Sequence, residues 1–139
     1  MDLLTESGAT FSADRLYRTG LFRIWNRAAL PLCFIGMNPS VADEAMNDPT
    51  IERMQRRAFR WGYGVICVAN VFSIVETDSR KLSDYIAQGV DLVGPENDAA
   101  IVQAATGAGI VICGWGNPGN LMGRGQVVLS ILREHGVKP

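Results

Sequence analysis

The sequence predicts an α/β fold, a three-layer sandwich around a mainly parallel central sheet, with an N-terminal β-hairpin. Three apolar runs, residues 32–37, 65–70 and 110–114, carry this expectation, because each is continuous enough for a strand buried on both faces. Segments with apolar residues at helical spacing separate them. Strand, helix, strand, helices, strand, helix is the order of a parallel sheet with right-handed crossovers, and the first run is placed between the other two.

A chain of 139 residues suffices for one domain with a substantial core and is too short for two ordinary ones, so residues 1–139 are read as a single domain. With 47% hydrophobic and 19% charged residues the composition is that of a globular protein, and no apolar run approaches the roughly 20 residues of a membrane span. Asp2 and Glu6 stand where a signal peptide would be basic, so a cytoplasmic location and no membrane partner are expected. Cys33, Cys67 and Cys113 are odd in number and each lies in an apolar run, which points to buried free thiols. No Cys-x-x-Cys pair occurs and His135 is the single histidine, so no metal is assigned and a histidine-dependent nucleophile is disfavoured. At a formal net charge of −1, a nucleic-acid partner would need a local basic face.

From the N-terminus, Ala9–Ser12 and Leu16–Trp25 read as the arms of the hairpin, and Gly20 within the second arm suggests a bulge. Arg18 and Arg23 in that arm are either solvated or turned toward the crevice of the sheet, where a guanidinium suits phosphate or carboxylate. Asp48 is a good N-cap and Pro49 fits the first position of a helix running to about Trp61. Ile51, Met54, Ala58 and Trp61 fall on one side of it. Arg53, Arg56, Arg57 and Arg60 fall on the other as one basic face, a solvated surface or a phosphate-tracking one, and Gly62 is the stop. Thr77, Asp78 and Ser79 cap a short helix over Leu82, Tyr85 and Ile86. Residues 94–98 open another to about Ala105, and the last runs from about Leu121 to His135.

Ligands of open α/β sheets occupy the crevice at the carboxyl ends of the strands. Gly36, Asn38, Pro39 and Ser40 follow the first run, Asn70 closes the second, and Trp115 and Gly116 follow the third. These are candidate binding residues where they are more than turns. Trp115 suits either stacking on a base or sealing the core. The glycines are read as neither a G-x-G-x-x-G nor a Walker fingerprint, against a dinucleotide or ATP site of the usual kinds.

The motifs FIGMNPS, NDPTI, the arginine helix ending in WGYG, VANVF, VGPEND, GWG and the later Gly123-Arg124 together resemble the domain of unknown function 1643 family of bacterial and phage proteins. One departure is that Val75 and Glu76 stand where that family usually has an arginine. The family also normally continues past Pro139 with a His-Pro segment, so a last strand and loop are expected to be missing and a sheet edge to be left open for a second copy. More remotely, Gly36-Met37-Asn38-Pro39-Ser40 is similar to the Gly-Ile-Asn-Pro-Gly motif of the mismatch-specific branch of the uracil-DNA glycosylase superfamily. That resemblance implies a uracil-DNA glycosylase-like fold, Asn38 as the residue that positions water, and Asn70 as the reader of a base edge.

Cleavage of an N-glycosidic bond needs a positioned water, stabilisation of an oxocarbenium-like sugar and hydrogen bonds to the leaving base, with no cofactor. Asn38 orients water but cannot take its proton, so a carboxylate is wanted. Asp43 is nearer in sequence, and Asp48 is engaged as an N-cap. Arg18, Arg23 and Arg124 are available for phosphate. Three readings follow: a base-excising hydrolase with Asn38 and Asp43, a non-catalytic module that binds a nucleotide or nucleic acid, and an inactive truncated domain.

Overall fold

Strand β3 (Pro31–Gly36) lies between two parallel neighbours, β4 (Val65–Asn70) and β5 (Ile110–Cys113). The structure is a computed structural model that describes residues 6–139, the side chains of 118–120 excepted, so Asp2 lies outside it. On the far side of β4 the hairpin of β1 (Glu6–Phe11) and β2 (Arg18–Ile24) joins the sheet, antiparallel at both of its pairings. The strand order is β1-β2-β4-β3-β5. The sheet is thus mixed, with two parallel and two antiparallel pairings, and the expectation of a mainly parallel sheet is corrected. The three apolar runs are parallel as expected, but the hairpin arms are full strands of the same sheet.

Side-chain alternation along the strands divides the core in two. Helix α1 (Pro49–Arg60) covers one face, where Leu32, Phe34, Ile66, Val68 and Leu21 meet Ile51, Met54 and Ala58. On the other face Cys33, Ile35 and Ala69 meet Leu82 of α2 (Leu82–Ala87), Ile101 and Ala105 of α3 (Asn97–Ala105), and Val128 and Leu132 of α4 (Arg124–Glu134). Burial pushes the Cys33 thiol up to about 12. Cys67 and Cys113 are free but only half-buried. Among the described residues no helix is long and apolar enough to cross a membrane.

Helix α1 starts as expected, with Asp48 Oδ1 accepting from the Ile51 amide at 2.9 Å and Pro49 in the first turn. Trp61 does not join its buried side and is 54% exposed. It is the C-cap, where the backbone leaves helical geometry, so the helical spacing that aligned it with Ala58 no longer applies. The last helix is shorter than expected. Met122 and Gly123 are left-handed, at φ 59° and 68°, and end a 3-10 segment before α4 begins at Arg124.

One irregularity of the hairpin positions the site. Thr10 pairs with Gly20 and Phe11 with Arg18, so Thr19 is an extra residue, a bulge beside the glycine that suggested it. Regular alternation would put Arg18 on the face of Gly20 and Phe22. The extra residue turns it instead to the face of Leu21 and Arg23, toward α1.

Arg23 does not reach the crevice. It is fully buried, and its guanidinium holds the segment between β3 and α1 against the hairpin, donating to Asp43 O at 2.7 Å, Met46 O at 3.0 Å and Asn47 Oδ1 at 2.9 Å. Arg23→Met would keep the volume and remove every donor. We expect a loss of at least about 3 kcal/mol, read as a lower urea midpoint at unchanged slope.

Candidate functional site

At the carboxyl ends of β3 and β4 a cavity of about 230 Å³ opens beside the first turn of α1. Phe34 and Val68 form its apolar part, and Arg18, Asn38, Ser40, Asp48, Thr50 and Asn70 its polar part. Strand register aligns the pieces, since Gly36 is opposite Asn70 and Gly114 donates its amide to Ile35 O at 2.8 Å. Both glycines are needed for close approach. A Cβ on Gly114 would lie 2.3 Å from Phe34 Cε1, and one on Gly36 would lie 2.9 Å from Asn70 Nδ2 and 3.2 Å from Phe34 Cε2.

Arg18 is 2% exposed and is the buried cation of the cavity. Its Nη1 donates to Ala42 O at 3.1 Å and its Nη2 to Asn70 Oδ1 at 3.2 Å, while its buried Nε has no partner among the described residues. Desolvation lowers its pKa from 12.5 to about 10, against the field of Asp48 that favours the cation, so it stays charged at neutral pH. A guanidinium has no acceptor, so the bond to Arg18 fixes the orientation of the Asn70 amide. Asn70 Oδ1 faces the arginine and Nδ2 is left as a donor beside Gly36.

Asn38 is oriented in the opposite sense. Beyond the strands, the chain at 36–39 stays paired with 71–76 through Val71 N to Gly36 O, Phe72 N to Met37 O and Glu76 N to Pro39 O. Within this pairing Asn38 Nδ2 donates to Glu76 O at 2.8 Å and to Pro39 O at 3.0 Å, which leaves Oδ1 as its unengaged acceptor. Glu76 thus acts on Asn38 through its backbone. Its carboxylate is turned to the Tyr85 hydroxyl and the Asp78 amide, which hold its pKa low.

The remaining predicted residues are dispersed. Asp43 does not line the cavity. Its carboxylate accepts from the Ala45 and Met46 amides at 2.9 and 2.8 Å, and these bonds lower its pKa. Asp48 lines the cavity while also capping α1, with Oδ2 not engaged in the cap. Trp115 packs against the core on the α3 and α4 face, and Gly114 takes the cavity position at that strand end. Pro39 contributes a carbonyl, and Gly116 is exposed and off the cavity. Arg124 is buried, does not line the cavity, and donates to Val71 O at 3.0 Å and to Asp98 at 2.8 Å.

Phe34 and Asn97 were not singled out by sequence. Phe34 was hidden in an apolar run, although a phenylalanine two residues before a glycine turn is a signal that a ring borders the crevice. Asn97 is fully buried and its Nδ2 donates to Asn70 O at 2.8 Å and Val71 O at 3.2 Å, bracing the end of β4. Gly114, Gly116 and Gly119 also carry the G-x-G-x-x-G spacing of dinucleotide sites, which the expectation of no cofactor passes over. That motif needs a helix opening directly at the glycines. Here the 3-10 segment Asn117–Gly123 intervenes, and Gly114 faces the Phe34 ring.

The segment between β3 and α1 is also fastened by charge. Arg15 forms a fork to both oxygens of Glu44 at 2.8 and 2.9 Å, tying the hairpin turn to the segment before α1. This bond lowers the Glu44 pKa from 4.5 to about 2. The unfolded chain therefore binds the proton first as pH falls, and the contribution of the pair is present above about 4.5 and lost toward 2. We expect the Glu44 carboxyl signal in a pH titration by NMR to move back toward 4.5 in Arg15→Gln, with acid unfolding of that variant starting at higher pH.

Residues 18–139 match the family model described as Protein of unknown function (DUF1643). No curated protein and no solved structure matches the chain.

Proposed function

The chain belongs to the family of proteins of unknown function DUF1643, and from its site we propose that the cavity binds a nucleobase and that the domain is a base-excising N-glycosidase. The single observation that carries this reading is the polar set around Phe34. A donor amide on Asn70, a buried cation on Arg18, a free acceptor on Asn38 and a carboxylate on Asp48 line one small cavity at the strand ends. At about 230 Å³ the cavity is below the 300–1,000 Å³ of sites for drug-sized ligands, which favours one heterocycle over a whole nucleotide. Arg18 and Asp48 carry opposite charges, which favours a neutral polar ring over a phosphate inside it. The similarity of Gly36 to Ser40 to the glycosylase motif, and with it a uracil-DNA glycosylase-like fold, belongs to the same proposal.

In this mechanism Asn38 Oδ1 accepts a hydrogen bond from a water and so aims the water oxygen at the anomeric carbon. The new C–O bond forms as the C–N bond breaks, and the bonding pair leaves with the base. Arg18 and Asn70 Nδ2 stabilise the charge that develops on a base carbonyl, where a preorganised buried cation is most effective. Asp48, in place of Asp43, takes the proton released by the water and returns it to the base.

The test is incubation with uracil-, hypoxanthine- and mismatch-containing DNA, with release of free base as the readout. Asn38→Ala should lower release by about 10² to 10³-fold while binding persists, and Asn70→Ala should weaken binding itself. Binding without release in the unmodified chain would favour the non-catalytic module. Absence of both at low salt, where phosphate contacts are strongest, would end the nucleobase reading.

A further inference from the structure

The outer face of α1 carries Arg53, Arg56, Arg57 and Arg60, all exposed, against one acidic residue of the helix, Glu52. Glu52 is already engaged by Arg56 at 3.0 Å and by Asn47 Nδ2 at 2.8 Å. Arg53, Arg57 and Arg60 form no ion pair or side-chain hydrogen bond among the described residues. In a chain of net charge −1 this is a local concentration of unpaired cations, extended over about 10 Å from Arg53 to Arg60 at helical rise.

The ends of the helix say what kind of polyanion fits. Its first turn supplies Thr50 and Ile51 to the cavity wall. At its other end Phe59 and Trp61 are 49% and 54% exposed, beside the half-buried Trp25, whose ring centroid is 6.4 Å from that of Phe59. Guanidinium groups in a row next to exposed rings are the combination that holds a single strand, with phosphates on the cations and unstacked bases on the rings.

We propose that the outer face of α1 is a binding surface for single-stranded nucleic acid, with backbone phosphates on Arg53, Arg57 and Arg60 and bases against Phe59 and Trp61. Entry of one base of the same strand into the cavity would in addition rest on the nucleobase reading. The surface itself does not.

The experiment is fluorescence anisotropy with a short labelled single-stranded oligonucleotide between about 50 and 200 mM salt. Three phosphate contacts on a single strand predict a slope of log K against log salt of about −2. Substituting Arg53→Gln, Arg57→Gln and Arg60→Gln together should flatten that slope and weaken low-salt binding by about tenfold or more, with an unchanged thermal midpoint because all three are exposed. Retained affinity and slope in this variant would overturn the proposal. Phe59→Ala and Trp61→Ala should weaken oligonucleotide binding but not binding to heparin. Equal binding of heparin, anionic vesicles or duplex DNA, untouched by the aromatic variants, would overturn the assignment to a single strand. Free nucleobase binding, measured in parallel, separates the two readings. A chain that binds oligonucleotide through the arginines but no free base fails the cavity reading and keeps this one, and the reverse result does the opposite.

Discussion

Burying the guanidinium of Arg18 is the constraint on which the rest of the site depends. Desolvation lowers its pKa to about 10 even with the field of Asp48 favouring the cation, and Ala42 O and Asn70 Oδ1 accept from its two terminal nitrogens. Each partner is in turn fixed by the arginine. Ala42 lies in the segment that Arg23 and Arg15 also hold, Asp48 starts α1, and Asn70 ends β4. The Thr19 bulge is what lets one hairpin strand send both Arg18 and Arg23 to the same face.

Around this cation the backbone is packed to the limit that glycine allows. Phe34 lies between Gly36 and Gly114, where any side chain would meet its ring or the Asn70 amide. The ring occupies the space that a side chain at either glycine would need, so a larger residue at Gly36 or Gly114 would have to displace it and reshape the cavity that it borders. From behind, Asn97 and Arg124 bond the carbonyls of residues 70 and 71. Buried polar groups on the α3 and α4 side thus hold the strand end from which Asn70 projects toward α1. Asn97 Oδ1 is buried with no hydrogen-bond partner among the described residues.

Much of this was legible in the residues. Continuous apolar runs marked β3, β4 and β5, Asp48-Pro49 marked the start of α1, and the asparagines at 38 and 70 do border one cavity. What sequence could not supply was direction. Asp43, Arg23 and Trp115 have the chemistry of site residues, but short-range hydrogen bonds and packing turn them elsewhere: Asp43 to its own turn, Arg23 to carbonyls of the segment before α1, Trp115 to the opposite core. Arg18 was ambiguous by alternation alone, because a single extra residue inverts the face of everything before it. The mixed sheet was missed for a related reason. A hairpin with partly polar arms reads as an element that either extends or flanks the sheet, and Leu21 opposite Val68 and Phe22 opposite Cys67 make it an extension.

Helix α1 connects the two chemistries of the molecule. Its first residues face a cavity in which an arginine and an aspartate carry opposite charges, so a neutral, hydrogen-bonding ligand is favoured inside. Its outer face carries three cations that form no ion pair among the described residues, which is the basis for proposing a polyanion outside. The two preferences are separated by the thickness of one helix, and the hydrophobic contacts of Ile51, Met54 and Ala58 with the sheet hold them at fixed distance. A free base would use only the first and a simple polyanion only the second. A strand with one base turned out of the stack has both a neutral heterocycle and a charged backbone, and on the proposed reading it is the ligand class that would use both surfaces of this helix.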